Sequence, residues 1–169
     1  MVAPLVAALA ASWAALLVAA PYLPVRLAAF LYMFGSVICH QLPDRSFHLD
    51  GAQLPVCARC FGLYAGAALG ALGGLTEVVG RGFTPRQAGH KDPPYDRVAL
   101  LLAAVPTLLT VLLEWTGVHS SNLARAAAGA PLGAVVALIV MAAVRAPALH
   151  YEPCPPTRPT GFSPPAPPI

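Results

Sequence analysis

The sequence predicts an all-α, polytopic transmembrane helical bundle of about five spans, followed by a disordered proline-rich tail. Three observations carry this. Of 169 residues, 57% are hydrophobic and only 10% charged, with a mean hydropathy of +0.68, a make-up outside that of soluble domains. The apolar residues fall in five runs separated by short polar or basic connections, and a helix is the structure that meets all backbone hydrogen bonds within one such run. Nine of the 19 prolines stand from Arg145 onward, a density that excludes a helix or a packed core there. The net charge of +3 comes from scattered basic residues, so the lipid bilayer, and not nucleic acid, is the expected partner.

Pro4 to Ala20 is apolar and uncharged, about the minimum length for a span. No Lys or Arg precedes it and Pro21 follows its small residues, so it reads as a retained anchor, not a cleaved signal. The second run, 25–42, reaches spanning length only if Cys39 to Leu42 continue the helix, with Pro43 as its stop. A polar loop then leads to a third span, 56–79. In it Gly62, Gly66, Gly70 and Gly74 recur every four residues and form one smooth face for close helix packing. Residues 80–97 mix Arg81, Arg86, Lys91 and Arg97 with Gly and Pro and read as an exposed connector. The fourth span, 98–118, holds Pro106 as a kink and Glu114 as its ionisable group. The fifth, 123–144, carries Arg125 in its first turns and a second small pair, Gly129 and Gly133. Residues 1–145 thus form one transmembrane domain and 146–169 the tail.

With five spans, alternate connections collect Arg26, Arg81, Arg86, Lys91, Arg97, Arg145 and Arg158 on one side, against Arg45, Arg59 and Arg125 on the other. The positive-inside rule makes the first side cytoplasmic. The expectation is a protein of the bacterial cytoplasmic membrane with its N-terminus outside, its C-terminus inside, and residues 39–60 at the outer face. A bundle of so few helices is also expected to self-associate.

That outer segment holds the chemistry. Cys39, His40, Cys57 and Cys60 are candidate metal ligands, because a C-x-x-C pair lets two thiolates share one ion and the preceding helix end supplies more donors. Glu114 and Arg125 each lie about a turn from the 119–122 connection and are expected to pair, with Arg45 and Arg59 in the same layer. Gln41, Ser46, Tyr64, Ser121 and Asn122 are the supporting polar groups.

The motifs CHQxxxRSF (Cys39, His40, Gln41, Arg45, Ser46, Phe47) and PxCxRCxGxYxG (Pro55, Cys57, Arg59, Cys60, Gly62, Tyr64, Gly66), then an intramembrane acid and SNxxR (Ser121, Asn122, Arg125), resemble a family of small prokaryotic integral-membrane proteins of unknown function. The resemblance covers roughly residues 27–140, implies the same membrane fold, and brings no activity with it. The family pattern has aspartate where Glu114 stands.

Function therefore rests on the site. The leading expectation is a metal site, with zinc as the cofactor, in which Arg59 offsets thiolate charge and His48, His119 or Glu114 are spare ligands. A second is membrane thiol–disulfide redox chemistry, with Cys57 as attacking thiol and Cys60 resolving it. In a third, the arginines bind or transport an anionic lipid or small solute. Against all three functional readings stands a structural one, in which Cys57 and Cys60 form an inert disulfide or zinc staple joining two helix ends.

Overall fold

The structure, a computed structural model, describes residues 2–76 and 94–145. Among these residues five α-helices form: α1 (Val2–Ala19), α2 (Val25–Ile38), α3 (Ala58–Leu75), α4 (Pro94–Trp115) and α5 (Asn122–Arg145). Four are long and apolar enough to cross a membrane: α1 with its 3₁₀ extension to Tyr22, α3, α4 from Arg97, and α5. Their outer surfaces carry exposed Leu9, Leu101, Leu108 and Leu123, the side chains a bilayer solvates. Most of the basic connector and the whole tail lie outside the described residues.

The bundle is built on α3 and α5. Gly62, Gly66 and Gly70 lie so close to the backbone of Ala126, Ala130 and Ala134 that a β-carbon on any of them would overlap α5, and Gly129 and Gly133 press on the backbone of Arg59 and Leu63 in return. The glycine row on α3 is a packing face, and its partner is the backbone of Ala126, Ala130 and Ala134 on α5. Gly74 sits farther along, against the side chain of Met141. On another side of α3, Ala7 of α1 is buried with Ala71 and Met141 near one end of the bundle, while Leu17 is buried with Cys39 and Val56 at the other. α1 therefore runs antiparallel to α3.

α2 departs from the second span expected over 25–42. Its 14 residues cover about 21 Å, short of the ~30 Å hydrocarbon thickness. Both of its ends lie at one face of the bundle. Tyr22, just before it, donates its hydroxyl to Asp50 Oδ2 at 2.6 Å, and Cys39, its C-cap, is buried beside Leu17 and Val56. The helix stops at Ile38 because Cys39 turns extended and Gln41 takes a left-handed φ of +49°, five residues before the proline expected to end it. Because α2 returns to the face it left, the N-terminal end of α1 shares a face with the C-terminal end of α5.

The polar loop is a folded hairpin. β1 (Ser46–Leu49) and β2 (Ala52–Cys57) pair antiparallel, with His48 opposite Gln53, Leu49 opposite Ala52 and an irregularity before Ser46 meets Cys57. Asp50 and Gly51 close it with φ of +50° and +81°, the Asp-Gly pattern of a two-residue type I′ turn.

Candidate functional site

Three elements converge at the hairpin face. Cys39 ends α2, Cys57 ends β2 and caps α3, and Cys60 stands in the first turn of α3. Their three sulfur atoms lie within 4.8 Å of one another. All three cysteines are free thiols, Cys39 buried and the other two half-buried. The backbone N–H of Cys57 donates to Cys39 Sγ at 3.1 Å. A hydrogen bond from the Cys60 thiol lowers the Cys57 thiol to about 5, outweighing burial, with help from the first-turn amides of Cys60 and Arg59 and from Cys39. The cluster is walled by Trp13, Phe61 and Tyr64. Trp13 makes edge-to-face contacts with Phe34 and Tyr64, and these three rings with Ile38 line an apolar groove of about 310 Å³ beside the sulfurs.

Gln41 explains why the cysteines meet. Its side-chain amide donates to Tyr32 O at 2.8 Å and Pro55 O at 2.6 Å, tying the end of α2 to β2. Gln53 Nε2 answers by donating to Gln41 O at 2.6 Å and Ser46 Oγ at 3.2 Å, while Ser46 Oγ donates to Leu42 O at 2.9 Å. The Tyr32 hydroxyl also donates to Gln53 O. Gly35 of α2 lets this joint close, since a β-carbon there would strike Pro55 O and the Gln41 amide.

The second constellation lies where α3, α4, α5 and the hairpin meet. Glu114 Oε1 accepts from Arg125 Nε at 2.7 Å and Arg59 Nη2 at 3.0 Å, and Oε2 pairs with Arg45 Nη1 at 3.4 Å. Arg125 is held further by Asn122 Oδ1 at 2.8 Å and Asp44 O at 3.4 Å. Asn122 Nδ2 donates to Ser46 O at 2.9 Å, joining the start of α5 to the hairpin. Ser121 Oγ caps α5 by accepting from Ala124 N at 3.2 Å.

The expected site residues thus divide into two groups. His40 is exposed and stands outside the sulfur cluster, as do the spare ligands His48 and His119; Glu114 is occupied by arginines. The Arg59 side chain does not neutralise its neighbouring thiolates, because its guanidinium turns to Glu114 and Thr110, leaving only its amide near Cys57. Tyr64 serves as an aromatic wall of the cluster. Gln53, Tyr32 and Gly35 are working parts of the site that sequence reading missed. The Asp50-Gly51 turn was the available signal, since it pairs residues 46–49 with 52–57 and brings Gln53 toward Gln41.

The family model described as a predicted membrane protein, DUF2085, matches residues 39–139. The chain belongs to this family. An uncharacterized protein of Methanothermobacter thermautotrophicus is 31% identical over 107 residues, covering 60% of this chain and 83% of the relative. Uncharacterized protein MJ1492 of Methanocaldococcus jannaschii is 55% identical over 40 residues, 24% of this chain and 26% of that protein's length. No solved structure matches.

Proposed function

We propose that this membrane protein binds zinc through Cys39, Cys57 and Cys60 at its extracytoplasmic face, with the fourth coordination position left to water or a small ligand. The observation that carries the reading is the mutual approach of three sulfurs from three separate elements. On a tetrahedral zinc with Zn–S near 2.3 Å, sulfurs stand about 3.8 Å apart, so modest inward rotation of these thiols suffices. Soft thiolates favour zinc over hard cations. Hydrogen bonds from its neighbours draw the Cys57 thiol down, so it ionises readily to the ligating thiolate. His40, His48 and His119 are exposed and stand outside the sulfur cluster, so a zinc held by the three thiolates would keep an open position and could act as a Lewis acid. The outward placement is supported by charge: with α2 kept at the hairpin face, that side holds Arg26, Arg45, Arg59 and Arg125, while in the sequence the connection from α3 to α4 and the stretch from the end of α5 carry Arg81, Arg86, Lys91, Arg97, Arg145 and Arg158.

The test is metal analysis of protein purified without chelator. About one zinc per chain is expected, lost in Cys57→Ser, and cobalt replacement should produce thiolate-to-metal charge-transfer absorption. The lowered Cys57 thiol favours one alternative, thiol–disulfide exchange through Cys57 and Cys60. Metal-free protein with that pair oxidised would refute zinc and support exchange.

A further inference from the structure

We infer that Arg45, Arg59 and Arg125 form a binding site for a phosphate-bearing anion at the hairpin face of the membrane, with Arg45 as the arm that closes on it. The four ionised groups sum to +2, three guanidiniums against Glu114, and every ion pair these arginines make among the described residues goes to that one carboxylate. Both Glu114 oxygens are engaged, so it cannot neutralise more. A net +2 at a membrane boundary is costly unless compensated. The cluster also has donors to spare, because a guanidinium offers five N–H groups and Arg59 Nε is buried without a partner.

The three arginines are not equivalent. Arg125 and Glu114 are buried and mutually anchored, and Arg59 is largely covered. The Arg45 side chain is 48% exposed and holds Glu114 by the longest contact, 3.4 Å. It can therefore leave the carboxylate for an incoming anion without unmaking the others. Planar guanidiniums match phosphate oxygens two at a time, and the site sits where a bilayer presents such groups. A phospholipid headgroup and free phosphate share this chemistry. The inference is independent of the metal reading, since none of these four residues is a proposed ligand.

The test titrates full-length protein, solubilised in neutral detergent, with phosphatidylglycerol and separately with inorganic phosphate, reading lipid occupancy by native mass spectrometry and phosphate binding by calorimetry. Binding of one phosphatidylglycerol per chain, weakened about tenfold or more in Arg45→Ala, assigns a lipid headgroup. Binding of inorganic phosphate alone with the same dependence assigns a soluble anion. Arg26→Ala, which removes another exposed arginine of this face, should change neither. Absence of binding to both probes, an unchanged Arg45→Ala, or equal losses in Arg26→Ala and Arg45→Ala would overturn the site.

Discussion

Glu114→Gln isolates the electrostatics that hold the hairpin, α3, α4 and α5 together. The substitution keeps shape and removes one charge, leaving Arg125 and Arg59 facing a neutral amide across contacts of 2.7 and 3.0 Å. Removing one partner of a buried ion pair costs about 3–5 kcal/mol, chiefly because the remaining charge is stranded. At about 2–4 °C per kcal/mol for a chain of this size, Tm should fall by about 6–20 °C. Arg45→Gln acts on the same carboxylate from a half-exposed position at 3.4 Å, and exposed pairs are worth about 0–1 kcal/mol. It should shift Tm by no more than about 4 °C. The assay is thermal unfolding in neutral detergent and phosphate-free buffer, at low and at high salt. The Glu114→Gln loss should persist at high salt, since buried pairs are little screened. If Glu114→Gln melts within about 3 °C of wild type, or Arg45→Gln costs as much as Glu114→Gln, the assignment of Glu114 as the buried hub is wrong.

Gly66→Leu should separate α3 from α5, because its β-carbon would overlap Ala130; the expected loss is about 1–3 kcal/mol or more, whereas Gly73→Leu, with open space around it, should be tolerated. Equal melting of the two variants would contradict the packing. In chelated protein, alkylation of Cys57 should rise with pH through about 5 and flatten above pH 6, since its thiolate is then already formed; a rate still climbing tenfold per unit to pH 8 would mean an ordinary thiol. Tags at the two termini should be accessible from the same side of sealed vesicles, because α1 runs antiparallel to α3 and α2 does not cross. Accessibility from opposite sides would contradict that arrangement.

What could be read from the chain follows from how local each signal is. Helices and their small-residue faces were legible because periodicity and residue size act within one run: Gly62, Gly66 and Gly70 marked a face for close packing, though not that Ala126, Ala130 and Ala134 would fill it. The Glu114–Arg125 pair was legible from distance to a shared turn. The path of α2 was not, because Val25–Ile38 is apolar on nearly every side and composition alone does not separate a short span from a helix lying along one face. What decides it is the left-handed turn at Gln41 and the Tyr32, Gln53 and Pro55 contacts, all of them non-local. His40 was drawn toward the metal by its adjacency to Cys39. Extended backbone at Cys39 sends consecutive side chains to opposite sides, so burying one exposes the other.

The two constellations meet in a single residue. Arg59 stands between Cys57 and Cys60 in sequence, its amide beside the Cys57 thiol and its guanidinium on Glu114, and its carbonyl marks the closest approach of Gly129 on α5. Any shift of the first turn of α3 that draws the sulfurs toward one centre must therefore also move a guanidinium against a buried carboxylate. Cys39 and Ser46 are linked in the same way across the hairpin, through Gln41, Gln53 and Asn122. Thiol chemistry and arginine charge are thus mechanically joined through rigid, hydrogen-bonded parts. Arg59→Lys tests this joint: a flexible point charge can still reach Glu114 but loses the planar fork, so it should alter both metal retention and the environment of Trp115, the neighbour of Glu114. A change in one alone would show that the two sites are only neighbours.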